Sequence, residues 1–351
     1  MKSPRWAATA VSGGFAASKR ATPAPPRPWW LALVALGALL AGLAVLSLLV
    51  GSHGLPIALT LRSLWHAQGE AWPTIRDYRL PRTELAILVG GALGLAGCLV
   101  QTLTRNPLAG PGILGVNSGA GMFVVLGIGA GVIAPLAQFG LAFAGAAVVA
   151  GLVFASRLLS RSSDPVRLLL TGTALGASLE STTAGLSLLQ PNSLEQFRLW
   201  AVGSVADRGE AMLPILAACL LAGLAASLAL AGPLDVVAMG DEHALALGIH
   251  RGRLLIACGA VISMLCGAAT AAAGPIVFVG LLVPHLARML VGIGLRRVLP
   301  ACALLGAALL LAADILGRLL VPGSEIPAGA VSAVIGAPLF FVLMRRAKFA
   351  P

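Results

Sequence analysis

Charge-free length limits this chain more than any other feature. Between Arg105 and Arg157 lie 51 consecutive residues without a Lys, Arg, Asp or Glu, and none occurs between Arg27 and Arg62. A helix needs about 20 apolar residues to cross a bilayer, so the longer run alone holds two crossings. In hydrocarbon every backbone polar group must be satisfied within the protein, which leaves helices or closed barrels. The short alternating segments of a barrel are absent from the sequence. Only 11% of residues are charged while 58% are hydrophobic, far from the composition of a soluble domain. The chain reads as an all-α polytopic membrane protein.

Apolar runs bounded by charges and turn residues predict about ten transmembrane helices, at 29–50, 84–104, 114–131, 135–156, 167–189, 210–231, 252–272, 276–293, 298–319 and 327–345. Residues 1–28, with five basic side chains and the cluster TPAPPRP, read as a disordered cytoplasmic tail. The ten-helix domain then covers 29–346, and 347–351 form a second cytoplasmic tail. The run from Trp29 to Val50 exceeds the apolar core of a signal peptide, so it is read as a retained first span.

Counting Lys and Arg by side gives seventeen on the face of the N-terminus and seven opposite. The positive-inside rule therefore places both termini in the cytoplasm. Topology accounts for the net charge of +11, and no nucleic-acid partner is expected. The five cysteines fall within apolar runs without paired spacing, and read as small core residues. Stretches such as GGALGLAG (Gly90–Gly97) predict close helix crossings, since packing rather than hydrophobicity joins helices in lipid.

One stretch breaks the helical pattern. TRNPLAGPGILGVNSGAG, Thr104–Gly121, holds five glycines and two prolines between two apolar runs. Irregular backbone at membrane depth survives only where protein or water satisfies it, so the segment is expected to pack inside the bundle beside a solute path. Gly110 and Gly112 are expected there to permit close approach. AGPGILGV (Ala109–Val116) has a counterpart in AGPIVFVG (Ala273–Gly280), five spans later, as in the inverted repeats of transporters.

No catalytic constellation, cofactor motif or metal-ligand spacing is present. The three lysines, Lys2, Lys19 and Lys348, all lie in the tails, so the chain lacks the lysine of a phosphate-binding loop. If ATP drives it, a separate subunit supplies the engine. Ionisable groups within spans are few. Asp314 and Arg318, four residues apart, read as a structural pair. Glu180 has no local partner, and either lines a cavity or is held neutral by burial. An ion-coupled secondary transporter is the competing class. Between the sixth and seventh spans, Gly232–Leu254 carries Asp241 and Glu242, then apolar residues, then Gly248. This pattern predicts a short amphipathic helix ended by glycine, lying in the lipid interface or, as its acidic residues favour, seated in a groove of a partner protein.

Five stretches, RLPRTELAILVGGALGLAGCLVQTLTRNPLAGPGILGVNSGAG, LWAVGS, MGDEHALALGI, GPIVFVGLLVPHLAR and SEIPAGAVSAVIGAPLFFVLMRR, resemble the FecCD permeases of ABC importers for ferric siderophores, haem and cobalamin. The resemblance implies the type II importer fold, with ten spans and a second permease copy or paralogue. It also implies a cytoplasmic ATPase dimer that consumes ATP and an extracytoplasmic substrate-binding protein. Met239, Gly240, Asp241, Glu242, His243, Ala244, Leu245 and Gly248 would form the segment that enters the ATPase. Arg79, Arg82 and Arg318 would dock the binding protein. Asn106, Pro107, Gly110, Gly112, Gly115 and Glu180 would border the path, although Glu180 stands where the family has a small or apolar residue. Span five and Leu199–Ser204 would move near the outer gate. A ferric siderophore is the expected cargo, with haem or cobalamin the alternative.

Overall fold

A computed structural model describes residues 28–51, 56–66, 69, 71–159, 165–189, 191–206, 210–238, 241–321 and 324–346. The two tails, Met239 and Gly240 lie outside these residues. The described chain is helical, with no strand. It runs through α1 (Trp29–Leu49), α2 (Ile57–His66), α3 (Trp72–Thr74), α4 (Leu80–Thr104), α5 (Val116–Gly129), α6 (Pro135–Leu159) and α7 (Pro165–Leu189). It continues through α8 (Pro191–Ala201), α9 (Leu213–Ala238), α10 (Asp241–Ala246), α11 (Arg251–Ala273), α12 (Val279–Val291), α13 (Leu295–Leu319) and α14 (Ala328–Arg346). Each of the ten expected spans falls on one of these helices. Among the described residues, six helical runs are long and apolar enough to cross a membrane, and three more apolar helices are shorter.

α4 is the axis of the bundle and packs against α13, α11, α12 and α9. From Val89 to Gln101 every residue is buried, so no face of α4 is left for lipid. Its small residues make this possible. A Cβ on Gly90 would fall on the Gly306 carbonyl of α13, and one on Gly306 would fall on the Gly90 carbonyl. The expected close crossing thus lies within the Gly90–Gly97 stretch. A one-turn π segment, Ile75–Arg79, joins α3 to α4 and makes Trp72–Thr104 one helical run.

Both copies of the sequence repeat interrupt the helical run ahead of a short helix, with different local backbone. Pro111–Leu114 makes a single 3-10 turn that Gly115 ends at φ 73°, and α5 starts beyond it. In the second copy Gly274 and Phe278 take φ 76° and 69°, and α12 follows. With 14 and 13 residues, α5 and α12 rise only about 20 Å each, short of the ~30 Å hydrocarbon core. They are shorter than the expected spans 114–131 and 276–293, because the breaks consume chain within the bundle. α9 differs the other way. It continues through Pro233 to Ala238, so much of the expected loop at Gly232–Leu254 is helix.

Candidate functional site

Three arginines gather at one end of the bundle. Asp314 on α13, fully buried, accepts bonds from Arg82 Nε at 3.0 Å and Nη2 at 2.7 Å, and from Arg318 Nε at 3.0 Å. Arg82 also donates from Nη1 to Glu325 at 2.6 Å. Arg79 and Arg318 turn toward the end of α1, whose last carbonyls have no helical partner. Arg79 Nη1 donates to the Leu48 and Leu49 carbonyls at 2.8 and 3.0 Å. Arg318 Nη1 donates to those of Ser47 and Val50, at 3.0 and 3.1 Å. Positive charge at a helix C-terminus also meets the negative end of its dipole. The cluster therefore joins α1, α4 and α13 to the chain leading into α14.

The breaks meet in the middle. Gly280 lies against both Pro111 and α4: a Cβ there would sit 2.8 Å from Pro111 Cδ and 3.0 Å from the Leu93 carbonyl. Asn117, in the first turn of α5, accepts a bond from Thr270 Oγ1 of α11 at 2.9 Å. Gln101 donates to the Leu281 carbonyl at 3.0 Å and accepts from Arg288 Nη1 at 2.8 Å, tying α4 to α12. Leu199–Ser204 closes over the second break. Ser204 N donates to the Ala273 carbonyl at 2.8 Å, and Gly329 N to that of Gly203 at 3.0 Å. Glu180 is exposed on α7 and accepts a bond from Ser118 Oγ at 2.8 Å.

At the opposite end α10 lies across the tip of α9. It begins at Asp241, and Gly248 closes it at φ 68°. Gly248 N donates to the Leu245 carbonyl at 3.0 Å and Ile249 N to that of Ala244 at 2.9 Å, the paired bonds of a glycine-terminated helix. Ala244 is fully buried, whereas Leu245 and Leu247 are 69% and 67% exposed. The helix thus presents two leucines outward beside the acidic first turn.

Residues 39–346 match the FecCD transport family. The chain belongs to the FecCD family. The ferric enterobactin permease FepD of Escherichia coli is 45% identical, over 86% of this chain and 91% of its own length. YfiZ of Bacillus subtilis, named a probable siderophore transport permease, is 40% identical over 78% and 82%. Further relatives are named as permeases for ferric citrate, iron hydroxamate and hemin. Among solved structures, an inward-facing metal-chelate type ABC transporter is 30% identical, covering 90% of this chain and 99% of its own, with TM-score 0.80. This FecCD protein is a transport subunit and not an enzyme.

The structure distributes the expected site residues of this FecCD permease unevenly. Arg79, Arg82 and Arg318 do gather, but Arg79 and Arg318 are buried and occupied with α1 and Asp314. The i,i+4 spacing of Asp314 and Arg318 revealed their pairing. Nothing local revealed Arg82, 232 residues away in sequence, or Ser47, Gln101 and Arg288. Asn106 forms a turn, accepting from Leu108 N at 2.9 Å, and Pro107 is half-buried beside it. Gly110 and Gly112, expected to permit close approach, differ in their surroundings within the subunit. Nothing lies within 4 Å of a Cβ at Gly110, and at Gly112 only the Asn117 side chain is near. Gly115 carries the constraint instead, with positive φ and Val149 Cγ1 2.9 Å from a Cβ there.

Proposed function

We propose that the chain is the membrane-spanning subunit of an ABC importer that moves a ferric siderophore inward, powered by a separate ATPase. The observation that carries this reading is α10, a glycine-closed helix packed on α9 with Ala244 buried and Leu245 and Leu247 outward. Two exposed leucines beside Asp241 and Glu242 suit a protein groove better than an anionic inner leaflet. Met239–Gly248 would follow closure of the ATPase dimer. The α10 end would then be cytoplasmic, with both chain termini, as the basic-residue count suggests.

At the Arg82 end, acidic side chains of a substrate-binding protein would compete with Glu325 for Arg82, and Arg79 and Arg318 would raise the local positive potential. A second permease copy or a paralogue would complete the path. Asn106–Gly115 and the exposed face of α7 with Glu180 would border it. The subunit makes and breaks no bonds. It contributes two packings, biased by nucleotide at one end and loaded binding protein at the other. Greater identity to the ferric enterobactin permease (45%) than to the hemin permease (36%) favours a siderophore as cargo.

Reconstitution in lipid vesicles tests this. Uptake of radioactive iron as ferric siderophore is expected only with ATP, the cognate ATPase and the binding protein all present. Uptake by the isolated chain, driven by an ion gradient and collapsed by an uncoupler, would show a secondary transporter instead.

A further inference from the structure

We infer that Arg105 is the positioning residue that carries displacement of α10 into the core of the bundle. This rests on reading α10 as the ATPase-facing element and adds the route from it to the two breaks.

Arg105 ends α4 in the left-handed conformation, φ 51° and ψ 28°. Side chains other than glycine rarely take this conformation, because the Cβ crowds the following carbonyl. Among the described residues only Phe278, in the second break, is a further non-glycine residue of positive φ. The turn carries the Arg105 guanidinium to α9, where Nη2 donates to the Val237 carbonyl at 2.6 Å. Val237 belongs to the last turn of α9, whose terminal carbonyls lack helical partners and carry partial negative charge. Asp241, the start of α10, is four positions further on, and α10 packs back on α9.

The last turn of α9 has a second attachment. Asp235 Oδ1 accepts the Leu295 N–H of α13 at 3.3 Å. Besides the packing of α9 on α4, α11 and α13, hydrogen bonds lead from its last turn into α13 through Asp235 and into α4 through Arg105. The α4 route leads toward both breaks. Four residues before Arg105, Gln101 holds the Leu281 carbonyl and Arg288 of α12. Immediately after it, Asn106 opens the segment that brings Pro111 against Gly280. Arg105 thus stands between the α9 tip and both short helices. A guanidinium on a helix-terminal carbonyl ties α4 to the tip of α9 by a polar bond, in addition to the packing of the two helices.

The test compares wild type, Arg105→Ala and Arg105→Lys in the full complex with ATPase and binding protein, reconstituted in vesicles. The readout is ATP hydrolysed per iron imported, using the best-transported member of a ferric siderophore panel that includes ferric enterobactin. Arg105→Ala is expected to keep nucleotide hydrolysis and the thermal midpoint of the complex while the hydrolysis-to-import ratio rises about 10-fold, a typical coupling magnitude. Arg105→Lys, able to reach the same carbonyl, is expected to restore part of the ratio. An unchanged ratio overturns the inference, as does a parallel fall in hydrolysis and import, which marks a merely structural residue. Absence of ATP-dependent import in the wild-type complex instead overturns the reading of α10 and this inference with it.

Discussion

Arg318 reaches from α13 to Ser47 on α1, donating from Nη1 to its carbonyl at 3.0 Å and from Nη2 to its hydroxyl at 2.8 Å. Ser47 is fully buried, and its hydroxyl also meets that of Thr83 on α4 at 2.7 Å. One small polar residue in a greasy first helix therefore receives contacts from the two helices that α1 must join. Only Leu36 and Ser47 of α1 are buried, so these polar contacts add to the packing of half-buried residues such as Leu40 and Leu43.

Removing the centre of this clasp should be costly. Asp314→Ala leaves the Arg82 and Arg318 guanidiniums without their shared carboxylate, and breaking a buried ion pair from one side costs about 3–5 kcal/mol. The expected result is a lower thermal midpoint in detergent and easier proteolysis at α1. Asp314→Asn, which keeps the acceptor oxygen, should lose less. Equal midpoints for wild type and Asp314→Ala would contradict the clasp.

The α4 seam sets a steric limit. A Cβ at Gly97 would fall on the Gly280 backbone, and backbone cannot rotate aside as a flexible side chain can. Overpacking commonly costs about 1–3 kcal/mol and more where nothing can shift. Gly97→Ala should reduce the yield of folded protein, measured by size-exclusion chromatography. Gly37→Ala on α1, where nothing lies within 4 Å, should match wild type.

Within the first break, two neighbouring glycines should respond differently. Gly115→Val combines a positive φ with a close Val149 and should prevent proper folding. Gly110→Val meets open space in the subunit and should leave the thermal midpoint unchanged. If Gly110 borders the solute path, the same variant should lose uptake while remaining assembled with its partners. Unaltered uptake by Gly110→Val would remove it from the path.

The exposed leucines of α10 allow a clean separation of folding from assembly. Leu245→Glu with Leu247→Glu should abolish co-purification with the ATPase and leave the thermal midpoint of the isolated subunit unchanged, because neither side chain is packed. Retained ATPase binding would place the docking surface elsewhere.

The sequence alone determined the class of the fold, the approximate position of each long helix, the first break, and the glycine-ended helix at Asp241–Gly248. These properties are local: a charge-free length, a proline or glycine that stops a helix, and a fixed spacing between turn residues. The identity of the axial helix was not legible, because α4 is no more apolar than its neighbours and burial on all sides depends on what surrounds it. Nor was the role of Gly110 against Gly115, which share a composition but differ in φ and in their neighbours. The tertiary structure decided that Arg82 and Asp314, 232 residues apart, share one carboxylate site with Arg318, and that Arg105 grips the end of α9. Charges buried in an apolar body must find partners wherever the chain brings them, and the fold sets that distance.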